Sequence, residues 1–138
     1  KIKWLNALKT WLTRLAQEKN NLILLGDFNI APDDEDVHDP ELWRDKILCS
    51  AEERNLLESI KALGLVDTFR EFSQADSTFS WWDYRAGGFP RNRGLRIDLI
   101  LASIAMLKNL KSSAIDPTPR GWEKPSDHAP VVLELALN

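Results

Sequence analysis

Apolar residues recur at helical spacing at the start of the chain. Over residues 2–18 they are separated by Lys, Thr, Arg, Gln and Glu, a pattern that predicts an amphipathic helix. The run LILL at 22–25 is wholly apolar and too short for a helix, so it predicts a buried strand that ends in GDFN (26–29). The acidic segment 31–43 is broken by proline, which is typical of a loop with at most one turn of helix.

The rest of the pattern predicts more helices and several strands. Ser50 followed by Glu53 is typical of a capping box, and Gly64 is placed to end the helix that begins there. LVDTFREF (65–72) predicts a second short helix. Strands are predicted over 77–82, over 95–103, near 108–115 and over 131–137, with a long polar loop at 83–94. This alternation predicts a mixed α/β domain.

Composition is that of an ordinary globular domain. A chain of 138 residues is long enough to bury a core as one domain. No run approaches the ~18 apolar residues that a membrane helix needs, so we expect no membrane partner. The net charge of -3 argues against a uniformly basic nucleic-acid binder. The single Cys49 cannot form an internal disulfide, which fits a reducing compartment, and we expect a cytoplasmic protein.

A carboxylate within an apolar strand is the first candidate for chemistry. Asp98 is the one charge that we expect inside the strand 95–103, where an unpaired ionised group would be very costly. It should face a cleft and hold a partner, and an imidazole suits this role because the hydrogen bond selects one tautomer. His128 is the natural partner, since His38 lies in the acidic loop. The alternative is a structural Asp–Arg pair on the sheet.

Three further polar residues follow the ends of apolar segments. Asp27 and Asn29 alternate at the end of the first strand, so both side chains can emerge on one side and orient a water. A strand-ending Asx turn is the alternative, because it uses the same residue types. Asp127 and His128 are adjacent between two prolines, so their side chains should point apart. Asp127 is therefore predicted to serve a cation such as Mg²⁺.

Arginine and aromatic side chains cluster in one part of the chain, which we call the aromatic-and-Arg loop. Arginine binds phosphate well, and aromatic rings stack on or wedge between bases, so contact with a nucleic-acid backbone is favoured over a merely solvated loop. The acids between Asp27 and Glu41 match no calcium-binding pattern and are expected to be mostly solvated. The aromatic-and-Arg loop comprises Trp81, Trp82, Tyr84, Arg85, Phe89, Arg91, Arg93 and Arg96.

Five stretches in this order resemble the endonuclease/exonuclease/phosphatase superfamily, and most closely its exonuclease III family. They are LLGDFNIAP, LVDTFR, TFSWWDYR, NRGLRIDLILAS and KPSDHAP, and they lie within residues 22–133. GDFN and SDHAP are shared across the superfamily. TFSWWDYR and NRGLRIDLILAS are much more specific to exonuclease III and its DNA-repair relatives.

The resemblance implies a metal-dependent phosphodiesterase that acts on duplex DNA, as a 3′–5′ exonuclease and as an endonuclease at abasic sites. By motif, Asp27 would orient or deprotonate the attacking water, and Asn29 would support the scissile phosphate. His128, oriented by Asp98, would stabilise charge on the phosphoryl oxygens. Asp127, with Asp27 as a second ligand, would hold Mg²⁺, and Mn²⁺ is the alternative metal.

The family fold implied by the resemblance is a four-layer α/β sandwich of mixed sheets flanked by helices. Residues 1–138 resemble its C-terminal half only, and the N-terminal half carries the principal metal-binding Glu. We therefore expect the isolated chain to be inactive or nearly so, and to associate with itself through the uncovered face of its sheet. In the parent protein the aromatic-and-Arg loop would insert at the lesion, with Arg85 close to the damaged strand.

The residues by themselves are also compatible with two other functions. A phosphatase of the same superfamily, acting on lipids or inositol phosphates, would share GDFN and SDHAP, but the aromatic-and-Arg loop argues against it. A non-catalytic DNA-binding module is the second alternative. The presence of both catalytic motifs argues against a loss of chemistry in the parent protein.

Overall fold

The computed structural model describes residues 1–137 of the chain, so Asn138 lies outside the described residues. The helices are α1 (Ile2–Glu18), α2 (Pro40–Trp43) and α3 (Ala51–Lys61). The strands are β1 (Ile23–Asp27), β2 (Leu65–Asp67), β3 (Trp81–Trp82), β4 (Gly94–Leu95), β5 (Asp98–Ser103), β6 (Leu110–Ile115) and β7 (Val131–Leu135). Within residues 1–137, no helix is both long and apolar enough to cross a membrane.

The strands form one three-stranded and two two-stranded antiparallel sheets, which confirms the mixed α/β fold class. In the largest sheet β5 lies between β1 and β2. The register of β1 on β5 places Asp27 opposite Asp98. A single bridge between Trp81 and His128 joins β3 to the segment that precedes β7. This arrangement brings the ends of three distant segments to one place.

Helices α1 and α3 pack side by side on one face of the largest sheet. The capping box predicted at the start of α3 is present: the Ser50 hydroxyl accepts from the backbone N–H of Glu53, and the Glu53 carboxylate accepts from the backbone N–H of Ser50. Burial of each large aliphatic side chain contributes roughly 1.5–3 kcal/mol. The principal buried residues of this layer are Leu5, Leu12, Leu57, Ile60, Leu99 and Leu101.

Strand β1 forms as predicted, but the prediction that it is buried was wrong for one of its faces. Leu24 packs on the helix-covered face, whereas Leu25 is 66% exposed and Ile23 is 38% exposed on the other. Alternate residues of a strand point to opposite faces, so an apolar run is buried on both faces only if both are covered. Within the described chain the second face of β1 stays open to solvent.

Three other element predictions were wrong in extent. The segment 65–72 begins as β2 and continues as a 3-10 helix over Thr68–Glu71, because pairing with β5 outweighs local helix propensity. Within 77–82, only Trp81–Trp82 pairs as a strand. The predicted strand 95–103 is interrupted between β4 and β5.

Arg96, which lies in that interruption, corrects two further expectations. Its side chain is 1% exposed, so Asp98 is not the only charge within 95–103. Arg96 Nε donates to Asp36 Oδ1 at 2.7 Å, and Nη2 donates to Asp67 Oδ2 at 2.6 Å. Asp36 is also 1% exposed, so this member of the acidic loop is not solvated. A buried cation is tolerated here because each acid pairs with the planar guanidinium.

Candidate active site

The imidazole of His128 lies between two carboxylates. Its Nδ1 is 2.8 Å from Asp98 Oδ2, and its Nε2 is 3.8 Å from Asp27 Oδ2. The expected pairing of Asp98 with His128 is therefore confirmed, and the alternative Asp–Arg pair was wrong because Arg96 bonds to other acids. With the proton on Nδ1 donated to Asp98, Nε2 faces the opening in which Asp27 lies.

Burial and neighbouring charges act in opposite directions on this pair. Burial lowers the pKa of His128, but the hydrogen bond to Asp98 and the negative charges of Asp98, Asp27 and Asp127 raise it more, so the pKa lies above its ordinary value. Burial also raises the pKa of the Asp98 carboxyl, and the hydrogen bond from His128 opposes this rise. The imidazole therefore binds a proton more tightly here than in water, as suits a donor to an anionic oxygen.

The GDFN segment turns sharply after β1. The backbone N–H of Asn29 donates to Asp27 Oδ1 at 2.8 Å, so the Asx turn that the residue types also predicted is present. Asn29 has a φ of 51°, which Asn tolerates better than most residues. Because the turn uses Oδ1, Asp27 Oδ2 remains directed toward His128. Buried Phe28 anchors the turn, and Lys1 Nζ donates to the Asn29 carbonyl at 2.7 Å.

Asp127, which was predicted to serve a cation, accepts hydrogen bonds from two tryptophans. Its Oδ2 accepts from the indole N–H of Trp81 at 3.0 Å, and its carbonyl accepts from Trp82 N at 3.1 Å. The expectation that Asp127 and His128 point apart was wrong in degree, since Asp127 Oδ1 lies 3.9 Å from His128 Nε2. The reason is local: the Ser126 hydroxyl accepts from His128 N at 3.1 Å and bends the segment away from extended geometry.

Acidic and imidazole groups converge closely enough to share a cation. Ligand atoms of Asp27, Asp98 and His128 lie within 4.8 Å of one another. Two carboxylates supply the hard oxygen ligands that Mg²⁺ and Mn²⁺ prefer, so the donor set fits such a cation. Asp127 Oδ1 borders the same space through its approach to His128.

The aromatic-and-Arg loop separates into exposed and buried residues. Tyr84 is 60% exposed and the Arg85 side chain 88% exposed; Arg91 and Arg93 are exposed as well. Hydrogen bonds from Arg85 hold the pKa of Asp83 at about 2, yet an exposed pair of this kind contributes little to stability.

Two members of the loop were wrongly predicted to contact substrate. Trp82 is 2% exposed: its ring packs edge-on against Phe89 at 5.1 Å, and its Nε1 donates to Asn92. Arg96 is buried in its ion pairs with Asp36 and Asp67 and cannot reach a ligand. Trp81 is half-buried and bonds to Asp127 instead of lying on the surface.

Sequence reasoning missed two residues that support the site. The fully buried hydroxyl of Ser80 accepts from the backbone N–H groups of Ile97 and Asp98, at 3.0 and 3.1 Å, which fixes the start of β5. Arg120 is 6% exposed beneath the aromatic-and-Arg loop. Neither position carries a sequence signal, because both contacts join segments that are distant along the chain.

Comparison with known proteins places these features in a family. The profile of the Endonuclease/Exonuclease/phosphatase family matches residues 2–128. Exodeoxyribonuclease III of Haemophilus influenzae is 38% identical over 98% of this chain and 53% of its own length. Exodeoxyribonuclease of Bacillus subtilis is 34% identical over 100% of the chain and 52% of its own length. The chain thus spans about half the length of these curated relatives.

Solved structures of nucleases and related enzymes also superpose closely on this chain. The 3′ phosphatase NExo (D146N) from Neisseria, bound to a product DNA hairpin, superposes with a TM-score of 0.94 at 43% identity, over 98% of this chain and 52% of that one. An AP endonuclease from Archaeoglobus fulgidus superposes with a TM-score of 0.90 at 31% identity, over 99% and 53% of the two chains. Since the family profile covers nearly all of the sequence, the chain belongs to the endonuclease/exonuclease/phosphatase family.

Proposed function

We propose that the parent protein of this chain is a DNA-repair phosphodiesterase of the exodeoxyribonuclease III type. It acts on duplex DNA, as a 3′–5′ exonuclease and as an endonuclease at abasic sites. The observation that carries the proposal is the convergence of Asp27 Oδ2 on His128 Nε2, 3.8 Å apart, with Asp98 fixing the imidazole from behind. The relatives named as exodeoxyribonucleases and the exposed basic loop beside this site support it.

The proposed chemistry is attack of water on a DNA phosphodiester. Asp27 Oδ2 accepts the proton of the water as its oxygen forms the new bond to phosphorus, and the P–O bond to the leaving strand breaks. His128 Nε2 donates a hydrogen bond to a phosphoryl oxygen, where negative charge develops. This requires the protonated imidazole, with Nδ1 donating to Asp98 and a second proton on Nε2; the raised pKa of His128 favours that form, and Asp98 fixes the orientation of the ring. Asn29 supports the phosphate from the turn next to Asp27.

Metal binding is proposed for the acidic groups of the site. Asp127, with Asp27, would hold Mg²⁺, or Mn²⁺ in its place. Such a cation supplies Lewis-acid charge at the phosphoryl oxygens. Two protein carboxylates bind it weakly, because Mg²⁺ keeps much of its water unless further ligands displace it.

We also propose that residues 1–138 are the C-terminal half of the family's domain and that the site is complete only with the N-terminal half. In support, the chain spans about half of its relatives, and β1 leaves Ile23 and Leu25 exposed. A cleft of about 180 Å³ continues this surface, and it is lined by Asp27 and Asp98 as well as by apolar residues such as Leu25. Alone, the chain would then be nearly inactive and would cover this surface by self-association.

DNA contact is proposed for the exposed part of the aromatic-and-Arg loop. Tyr84 would stack on or wedge beside a base, and Arg85, Arg91 and Arg93 would bind backbone phosphates. These exposed groups favour DNA over an inositol phosphate or lipid headgroup, since an aromatic wedge serves a stacked duplex better than a small polar ring. Unlabelled abasic duplex should therefore compete for the site far more strongly than inositol phosphates.

The experiment that tests the assignment is cleavage of an abasic-site duplex with Mg²⁺. The chain is assayed alone and mixed with the N-terminal half of the parent protein, and a His128→Ala mixture is the control. We expect cleavage by the wild-type mixture only. Appreciable cleavage by the chain alone would refute its inactivity, and an intact duplex in a mixture that has formed a complex would refute the nuclease assignment.

A further inference from the structure

Arg120 is a buried cation without a carboxylate partner among residues 1–137. Arg120 is 6% exposed, and it takes part in none of the ion pairs formed by the described residues. Its Nη2 donates to the Trp82 carbonyl at 3.2 Å, and its Nε has no hydrogen-bond partner in the same residues. A buried charge is normally paired, so another interaction must stabilise this one.

Two aromatic rings of the aromatic-and-Arg loop supply that interaction. The Arg120 guanidinium carbon lies 4.9 Å from the centre of the Tyr84 ring and 5.1 Å from that of Phe89. Cation–π attraction is strongest where the cation is removed from water, as it is here. The hydrogen bond to the Trp82 carbonyl and the two cation–π contacts thus all join the Arg120 side chain to the loop. The loop conformation and the burial of Arg120 therefore depend on each other.

The loop is also tied to the segment that carries the catalytic candidates. The Tyr84 hydroxyl donates to the Pro125 carbonyl at 2.7 Å, and Trp82 N donates to the Asp127 carbonyl at 3.1 Å. Arg120 lies five residues before Pro125 in the same segment, so it adds a further attachment. Arg85 follows Tyr84 directly, and its side chain is 88% exposed. Its position over the surface is thus set by the attachments beneath it.

We propose that Arg120 is a positioning residue: it holds the aromatic-and-Arg loop against the 120–128 segment so that Tyr84 and Arg85 meet DNA in one conformation. Its burial argues against direct contact with a phosphate. A loop ordered in advance loses less conformational entropy on binding, which strengthens the complex without a new contact. This inference rests on the proposed function, since it takes duplex DNA as the ligand.

A double-mutant cycle in DNA binding tests the inference. Affinity for a fluorescent abasic duplex is measured, in the mixture with the N-terminal half, for wild type, Arg120→Met, Phe89→Leu and the double variant. Arg14→Met, an exposed arginine on α1, is the matched control. Arg120→Met and Phe89→Leu should each weaken binding about tenfold, and the double variant should be no weaker than either, because both act through one contact between Arg120 and the loop. A double variant weakened about a hundredfold would overturn the inference.

Amide hydrogen exchange provides a readout that needs no DNA. In Arg120→Met, exchange should accelerate at residues 84–93 and stay at the wild-type rate in β5. Unchanged exchange in the loop, or equal acceleration in β5, would overturn the positioning role. If Arg120→Met does not fold, Phe89→Leu removes one of the two rings and should give the same loop-limited change. Absence of DNA binding by the wild-type mixture with the N-terminal half would refute the proposed function and leave this exchange result to decide the role of Arg120.

Discussion

His128 Nδ1 lies 2.8 Å from Asp98 Oδ2, and this one contact joins two sheets of the fold. Asp98 is the first residue of β5 in the three-stranded sheet, and His128 precedes β7 in the sheet with β6. The hydrogen bond sets the imidazole so that Nε2 faces Asp27. The geometry of the candidate site therefore depends on how the two sheets are held together.

The raised pKa of His128 predicts how stability changes with pH. The imidazole binds its proton more tightly in the folded chain, so its contribution to stability is full below its unfolded pKa of about 6.5 and is lost as pH rises through the higher folded pKa. Thermal unfolding of wild type and His128→Gln, both in EDTA, should show the largest difference near pH 6 and a smaller one toward pH 9. A difference that grows with pH would contradict this assignment of the shift.

Removal of one carboxylate should weaken divalent-metal binding. Asp27→Asn replaces an anionic oxygen ligand by a neutral one, and we expect the affinity of the chain for Mn²⁺ to fall about tenfold or more. Isothermal titration calorimetry measures this directly, without any need for activity. Asp76→Asn, which alters an exposed acid in a loop, is the control. Equal Mn²⁺ affinities for the two variants would exclude Asp27 as a ligand.

The buried ion network around Arg96 should be essential for stability. Arg96→Met leaves the buried carboxylate of Asp67 without its cation and Asp36 with Arg70 as its only cation, which costs about 3–5 kcal/mol of unfolding free energy. Arg93→Met removes an exposed arginine three residues away and should change the unfolding free energy by less than about 0.5 kcal/mol. Urea titration measures both. Comparable midpoints for the two variants would contradict the burial of Arg96.

Self-association should depend on the exposed face of β1. Leu25 is 66% exposed on an apolar edge strand, and a lysine there opposes strand-to-strand and face-to-face contact. We expect Leu25→Lys to raise the dissociation constant of the self-associated chain at least about tenfold in sedimentation experiments. Ile47→Lys is the matched control, since Ile47 is 71% exposed outside the sheet. A wild-type chain that sediments as a monomer at every concentration would refute the self-association itself.

Local chemistry explains which features could be predicted from the sequence. Periodicity over 2–18 predicted α1, and Ser50 with Glu53 predicted the start of α3, because helix patterning and capping act within a few residues. The GDFN and SDHAP motifs indicated Asp27 and His128 for a similar reason, since each side chain follows directly from its strand end or turn. The role of Asp98 followed from an energetic argument, because an unpaired buried carboxylate is too costly and a partner therefore had to be expected.

Burial and partner choice, by contrast, were decided by the tertiary structure. Arg91 and Arg96 belong to the same basic stretch, yet one is exposed and the other is sealed between two acids from distant segments. Trp82 is buried beside half-buried Trp81, and apolar Leu25 is exposed. Residue type and spacing determine what a side chain can do, but its solvation depends on what packs over it. That packing is contributed by residues far away in the chain. The helices and the catalytic candidates could therefore be predicted from the sequence alone, because they depend on local patterns. The partners of the arginines and tryptophans were decided by the tertiary structure.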